Sequence, residues 1–520
     1  MTILSNASAD LVGGEWVALT GDRIRSTNPA HPGSVLWQGT PVRSHVDDAV
    51  AAARIALPAW SSWGIDKRAA VLSRFAALCA ERVETMAEVI CAETGKAYWD
   101  SKAEAGLLAA KVKITLDETD KNFGRSRVTG YDLDLSETKR ASAWFKPHGV
   151  MAVVGPFNFP AHLPNGHIVP ALLMGNTIVF KPSDKTPAVG QLLVEYLDEA
   201  MKAESAPAGV VNLVQGDVEN AAALVAHPDL DGILFTGSWP VGRRILEANL
   251  DFPGKLIALE MGGNNPAVVL PDADLRQAAI EVVRGAFVTT GQRCTCTRRL
   301  IVHESVADAL IPAVCKAAES LVVADPKAET CFMGPLVTSD ARDAALAFQK
   351  KVAEAGGEVL VEMTRDVPGV SEGGGHYITP GVAKVDAFTT STDDGSAGFD
   401  AGCDEEVFGP LLRVAVVKDL DEAIAQANAT RFGLAASVFT KSEADAMRFR
   451  AEVRAGCINW NSATAGASSA LPFGGLGISG NHRPAGSYSL DYCAYPVAGM
   501  TEKGDAAAIA PGMAFEDGWL

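Results

Sequence analysis

Two stretches of this 520-residue chain carry residues suited to covalent chemistry at a carbonyl. Leu259-Glu260-Met261-Gly262-Gly263-Asn264 offers a carboxylate beside two glycines, and Gly291-Gln292-Arg293-Cys294 offers a thiol in a short polar turn. A thiol attacks a carbonyl carbon and later leaves as the sulfur of a thioester. A carboxylate takes the proton of the water that frees the acid. Singly, a strand-end glutamate and one cysteine among nine are more often structural than catalytic. Together they make Cys294 the candidate nucleophile and Glu260 the candidate base, with Cys296 a bystander two residues on.

Side chains of this kind need a frame. Five short apolar runs precede the cysteine: 150–154, 177–180, 210–214, 232–235 and 256–259. Helical segments separate most of them. That alternation predicts an α/β fold with a parallel sheet covered on both faces. Ligands of such sheets bind at the carboxyl ends of the strands. Those ends read Gly155-Pro156-Phe157-Asn158, Lys181-Pro182-Ser183-Asp184, Gln215-Gly216-Asp217, Thr236-Gly237-Ser238 and Glu260-Met261-Gly262-Gly263. The Asn158 amide can donate to a developing oxyanion, although a turn asparagine is the commoner role. Lys181 can bind ribose hydroxyls, and Asp184 can accept from a 2′-hydroxyl. The run Gly237-Ser238-Trp239-Pro240-Val241-Gly242 closes a strand and opens a helix, so its free N–H groups suit an anion; Ser238 is alternatively a plain N-cap. It lacks the Gly-Lys-Ser/Thr ending of a phosphate loop, which argues against an ATPase. Glu406 precedes a strand and can hold a second ribose, and Phe408 can pack on a flat ring; a solvated acid at a strand start is the plainer reading. Gly475-Leu476-Gly477-Ile478-Ser479-Gly480 matches a dinucleotide fingerprint by letter only, because no apolar strand precedes it. A glycine-rich turn closing over a site suits it better.

Other segments support this frame. Short strands are expected near 14–17 and 35–37, a helix from Ser44 with an Asp47 capping box, one helical stretch over 66–93 ended by Gly95, and another over 102–116. Residues 126–147 read as an extended hairpin, and 488–497 as a further aromatic strand. They form either a ribbon on the same chain or a flap reaching a neighbour. A second α/β unit follows Asn264, with strands near 267–270, 300–303, 411–417, 437–440 and 457–459 and helices near 274–289 and 307–320. Residues 363–403, rich in Gly, Thr, Ser and Asp, read as a surface loop region.

A chain this long exceeds one ordinary core. Its formal charge of −18 argues against nucleic acid or an anionic membrane as partner, and requires a local basic pocket for any anionic substrate. The nine scattered cysteines show no zinc spacing, so no metal is expected. No basic-then-apolar leader and no membrane-length apolar run are visible, which points to the cytoplasm.

The motifs Leu259–Asn264, Gly291–Cys294, Pro156-Phe157-Asn158-Phe159-Pro160, Lys181-Pro182-Ser183 and Glu406-Val407-Phe408-Gly409-Pro410 occur in an order that resembles the aldehyde dehydrogenase superfamily, from about Gly14 to Pro496. A narrower likeness, to its N-succinylglutamate 5-semialdehyde branch of arginine catabolism, rests on five runs: 158–167, 291–296, 466–469, 480–484 and 491–496. The resemblance implies a homodimer or dimer of dimers with three parts. These are an NAD-binding domain (1–125 and 148–259), a catalytic domain (260–474) and a small β oligomerisation flap (126–147 and 485–500). It implies Cys294, Glu260 and Asn158 as catalytic residues. The cofactor, NAD with NADP admitted, would contact Pro156, Phe157, Lys181, Ser183, Asp184, Gly216, Gly237, Ser238, Trp239, Pro240, Val241, Gly242, Gly262, Glu406 and Phe408. A small carboxylated aldehyde is the implied substrate, with Arg293, Ser468, Ser469 and Arg483 as candidate receptors. Arg293 is at least as readily structural, and Arg483 is preferred. Three features depart from the branch. Asp184 replaces a usual Glu, Trp239-Pro240 occupies the phosphate turn, and Asn461-Ser462-Ala463 replaces a Lys-Pro turn near the substrate mouth. The alternatives are a dehydrogenase of another carboxylated semialdehyde, a CoA-acylating enzyme, or a non-catalytic protein of the same fold. Retention of both Cys294 and Glu260 counts against the last.

Overall fold

The computed structural model describes residues 4–119, 124–370, 374–389, 403–504, 507 and 509–520. Two seven-stranded sheets organise the chain. The first runs Leu256–Glu260, Gly232–Thr236, Val150–Val154, Thr177–Lys181, Val211–Leu213, Ala9–Val12 and Glu15–Ala18. Its first five strands are parallel, and the two N-terminal strands close the edge antiparallel. The strands Val150–Val154 and Thr177–Lys181 are buried at every position, as expected of a sheet covered on both faces. The order reverses between Val150–Val154 and Gly232–Thr236. This is the switch point where the loops after neighbouring strands diverge and leave a crevice.

The second sheet runs Glu358–Val361, Gly381–Lys384, Leu411–Val417, Thr297–His303, Asn265–Val269, Ala435–Phe439 and Cys457–Trp460. All its pairings are parallel except the first. A third sheet joins Ala494–Glu502, Lys139–Pro147 and Tyr131–Asp134, antiparallel throughout. No helix among the described residues is long and apolar enough to cross a membrane.

Several local expectations need correction. Ser44 makes no capping bond: Arg43 already has helical dihedrals (φ −62°, ψ −39°), so Ser44 lies inside the helix, and Arg43 pairs with Asp47 at 3.1 Å. The stretch 66–93 is two helices, Ile65–Glu81 and Val83–Thr94, broken at Arg82 (φ −109°, ψ 26°). The Arg82 guanidinium there grips Glu199 at 2.6 and 2.9 Å. Residues 126–128 belong to a 3-10 turn, Gly124–Val128, and Ser489–Tyr492 is a helical turn ahead of the strand. The two turns are tied by Arg127 to Asp491 (2.9 and 3.0 Å), a long-range ion pair that local patterning does not reveal. The expected loop region 363–403 contains the strand Gly381–Lys384, within the second sheet. Its residues 371–373 and 390–402 lie outside the described residues.

Candidate active site

A cavity of about 750 Å³ opens at the carboxyl ends of the first sheet, at its switch point. Its wall includes Pro156, Phe157 and Asn158 after one strand, Lys181, Ser183 and Asp184 after the next, Gly237 and Ser238 after Gly232–Thr236, and Glu260, Met261 and Gly262 after Leu256–Glu260. Cys294, Glu406, Phe408 and Phe473 complete it from the second α/β unit. Residues far apart in sequence thus meet where two sheets abut.

Cys294 is held through its backbone. Asn265 Nδ2 donates to the carbonyls of Cys294 and Cys296, both at 2.8 Å. Arg298 donates to the carbonyls of Gly291 (2.5 Å) and Gly409 (3.0 Å). Gly291 has φ +71°, and a Cβ there would meet the Gly409 carbonyl oxygen at 2.2 Å, so only glycine fits. Asn158 Nδ2 donates to the Gln292 carbonyl at 2.9 Å, which fixes the amide beside the Cys294 turn, and its second N–H has no acceptor among the described residues. The Cys294 backbone N–H donates to no acceptor among the described residues. Donors of this kind can stabilise an oxyanion.

Glu260 is buried on the same cavity's wall. Its Oε1 accepts from Ala485 N–H at 3.3 Å, while Oε2 is buried with no hydrogen-bond partner among the described residues. Burial with so little compensation lifts its carboxyl well above the ordinary range. The Cys294 thiol is also pushed up, by burial first and then by Glu406 and Glu260. Both groups therefore hold their protons more tightly than the same groups in water. The glycine-rich turn at 475–480 closes on this carboxylate's strand. Met261 N–H donates to Ser479 O at 2.9 Å, Leu259 N–H donates to Asn481 Oδ1 at 3.0 Å, and Gly480 bridges Glu260.

The remainder of the cavity suits a dinucleotide. Lys181 is buried at the end of its strand and its ammonium is pulled down to about 8 by burial. Asp184 faces the cavity and pairs with Lys185 at 2.8 Å. Glu406 Oε1 accepts from Gly263 N–H at 2.9 Å, and burial raises this carboxyl to about 7. Phe408 meets Phe157 edge-on, centroids 5.8 Å apart. The wall also includes Val218, Ala221, Ala222 and Val225 on one helix, with Val241, Ile245 and Ala248 on the next. This apolar slot fits a flat base. It was missed in the sequence although its spacing (i, i+3, i+4, i+7) was visible, because such a stripe usually faces a core.

Some expected contacts are not brought to the cavity. Gly216, Trp239, Pro240 and Gly242 are off its wall. Gly216 packs on Asn220, where a Cβ would approach Asn220 Cβ to 2.3 Å, and Gly242 packs on Met261. Ser238 is on the wall but its side chain makes no cap. Arg293 turns away and pairs with Asp100 at 2.7 Å. Ser468 and Ser469 lie off the wall, and Ser468 Oγ accepts from Ala470 N–H at 3.3 Å. Arg483 is exposed, also off the wall, and adds to the effect of burial in lowering the His148 imidazole's pKa. Among the described residues no cluster of His, Cys, Asp and Glu has the makings of a metal site.

Residues 16–496 match the aldehyde dehydrogenase family. The chain belongs to that family. This aldehyde dehydrogenase is 45% identical over 491 residues to the N-succinylglutamate 5-semialdehyde dehydrogenase 2 of Caulobacter vibrioides, covering 94% of this chain and 95% of that one. Its fold matches the NAD-dependent aldehyde dehydrogenase of Sinorhizobium meliloti with a TM-score of 0.86 at 29% identity, covering 97% of this chain and 96% of that one. It also matches the NADP-dependent glyceraldehyde-3-phosphate dehydrogenase of Bacillus halodurans C-125, complexed with NADP. There the TM-score is 0.84 at 31% identity, with 96% and 100% covered. The fold is thus shared with one dehydrogenase described as NAD-dependent and one as NADP-dependent.

Proposed function

We propose that this aldehyde dehydrogenase oxidises N-succinylglutamate 5-semialdehyde to N-succinylglutamate, in the succinylated route of arginine breakdown, with Cys294 as nucleophile and Glu260 as hydrolytic base. One observation carries the mechanism: Cys294, with an unused backbone N–H beside the Asn158 amide, shares a cavity with a buried carboxyl whose Oε2 has no partner. Cys294 Sγ attacks the aldehyde carbon as its proton passes to Glu260, directly or through water, and on to solvent. Asn158 and the Cys294 N–H hold the oxyanion; one such donor is worth about 10²–10³ in rate. The nicotinamide of the cofactor, when bound, accepts the hydride. Glu260 takes a proton from water, the water attacks the thioester, and the acid leaves with Cys294 restored as a thiol.

For the cofactor, Asp184 on the wall favours NAD, since its carboxylate accepts from a 2′-hydroxyl and repels a 2′-phosphate. The substrate follows from the Caulobacter relative's name and the quoted motifs. Arg483, in the turn whose Ala485 touches Glu260, is the proposed carboxylate receptor; a guanidinium fork suits a carboxylate. Residues 1–125 and 148–259 then form the cofactor domain, 260–474 the catalytic domain, and 126–147 with 485–500 the oligomerisation flap. Exposed Tyr131, Leu133 and Met500 on that flap suit a homodimer or dimer of dimers. Nine free cysteines suit a reducing cytoplasm.

The test is NADH formation with N-succinylglutamate 5-semialdehyde, succinic semialdehyde and propanal, each with and without CoA. Preference for the first, independent of CoA, supports the proposal. Dependence on CoA would make this an acylating enzyme, and equal use of all three aldehydes would remove the substrate assignment.

A further inference from the structure

The turn that carries Cys294 begins in an unfavourable conformation. Thr289 (φ 55°, ψ 31°) and Thr290 (φ 56°, ψ 37°) are consecutive left-handed residues, and both are β-branched. A β-branched side chain crowds its own backbone there, and such strain persists only where surrounding contacts over-determine it. Thr289 Oγ1 donates to Asp100 Oδ2 at 2.6 Å, Arg293 Nη2 donates to Asp100 Oδ1 at 2.7 Å, and Arg293 Nε donates to Thr289 Oγ1 at 2.7 Å. The three side chains close a ring, with Asp100 buried in the first turn of the helix Tyr98–Leu116. Thr290 Oγ1 donates to Gly334 O at 2.9 Å on the other side.

The same helix end grips the Asn158 segment. Lys96 Nζ lies 3.7 Å from the centre of the Phe159 ring, and the Arg293 guanidinium 4.9 Å. Lys96 pairs with Glu104 at 2.5 Å, and Glu104 Oε1 accepts from the N–H groups of Ala161 and His162 at 3.0 and 3.1 Å. The nucleophile turn and the oxyanion donor thus hang from one buried ionic cluster.

We infer that Asp100 is a positioning residue: through Thr289 and Arg293 it holds the strained turn so that Cys294 Sγ and the Asn158 amide share one reacting carbon. This rests on Cys294 being the nucleophile. It reassigns Arg293 from substrate receptor to clamp. Aspartate suits the position because two acceptor oxygens face two donors. Serine at 289 would keep the hydroxyl, whereas valine would keep the branching and lose it.

The test compares Asp100→Asn, Thr289→Ser and Thr289→Val in the full-length enzyme. It reads thermal midpoint, NAD affinity, the rate of the NADH burst on N-succinylglutamate 5-semialdehyde and on propanal, and the rate of iodoacetamide labelling at Cys294 by peptide mass. Misplacement of reacting groups by about 1 Å costs on the order of 10²-fold. Asp100→Asn and Thr289→Val should therefore lose about 10–100-fold in burst rate on both aldehydes, with KM and NAD affinity kept and the labelling rate altered. Thr289→Ser should stay within about 3-fold of the parent, since its charge-assisted bonds remain. Full burst rates in Asp100→Asn and Thr289→Val overturn the inference. A loss in Thr289→Ser equal to that in Thr289→Val would make the residue one of packing. A loss confined to KM for the carboxylated aldehyde would return Arg293 to substrate binding. Should Asp100→Asn fail to fold, the Thr289 pair decides alone. Failure of the underlying reading is separate: Cys294→Ala would then still form NADH.

Discussion

Gly262 is the position where geometry gives a sharp expectation. Its φ is not in the left-handed region, so alanine is acceptable to the backbone. The obstacle is space: a Cβ would stand 1.7 Å from Glu406 Oε2, 2.3 Å from its Cδ and 2.5 Å from its Oε1. Ordinary contact requires about 3.5 Å, so the carboxylate must retreat by roughly 2 Å. That move breaks the 2.9 Å bond from Gly263 N–H. A hydrogen bond to a charged group contributes about 1.5–3 kcal/mol, which corresponds to about 10–100-fold in affinity if Glu406 holds the cofactor ribose. Gly262→Ala should weaken NAD binding by that factor, read by isothermal titration. In an enzyme already carrying Glu406→Ala, the clash has no partner and Gly262→Ala should cost almost nothing more. Equal losses in the two backgrounds would refute the argument, because the glycine would then serve something other than room for Glu406.

Asn158→Ala should lower kcat by about 10²–10³ with little change in NAD affinity; unchanged turnover would reduce Asn158 to a support for Gln292. Turnover should climb as pH rises, because the reactive forms of Cys294 and Glu260 are the deprotonated ones and burial lifts both groups; a rate that peaks in acid would contradict that sign. Lys181 loses its charge as pH passes about 8, so NADH affinity should fall above that pH, and Lys181→Met should flatten the dependence. Arg483→Met should raise KM for N-succinylglutamate 5-semialdehyde far more than for propanal; equal effects would move the carboxylate receptor elsewhere.

The five parallel strands and their rim were legible because strands buried on both faces read as short apolar runs, and the residues after them are too polar and glycine-rich to be core. Cys294 and Glu260 stood out through nearby glycines, and the fold brings both to one cavity. Arg293 read equally as a substrate contact or a structural arginine, because its partner Asp100 is distant in sequence and only the fold joins them. Trp239 and Pro240 sit in the turn of the expected phosphate site yet off the cavity wall, since a helix start turns successive side chains in different directions. The split at Arg82 and the turn at 489–492 were hidden for a similar reason. Each is fixed by a distant ion pair, Arg82 with Glu199 and Asp491 with Arg127, rather than by local periodicity.

The proposed mechanism turns on a thioester at Cys294 that Glu260 resolves. The direct measurement mixes Glu260→Gln with N-succinylglutamate 5-semialdehyde and NAD, quenches in acid within the first turnovers and maps the peptides by mass. One equivalent of NADH should be released rapidly, with the N-succinylglutamyl group on Cys294 and the peptide's Cys296 unmodified. A burst with no acyl group on Cys294, or with the group on Cys296, would contradict it.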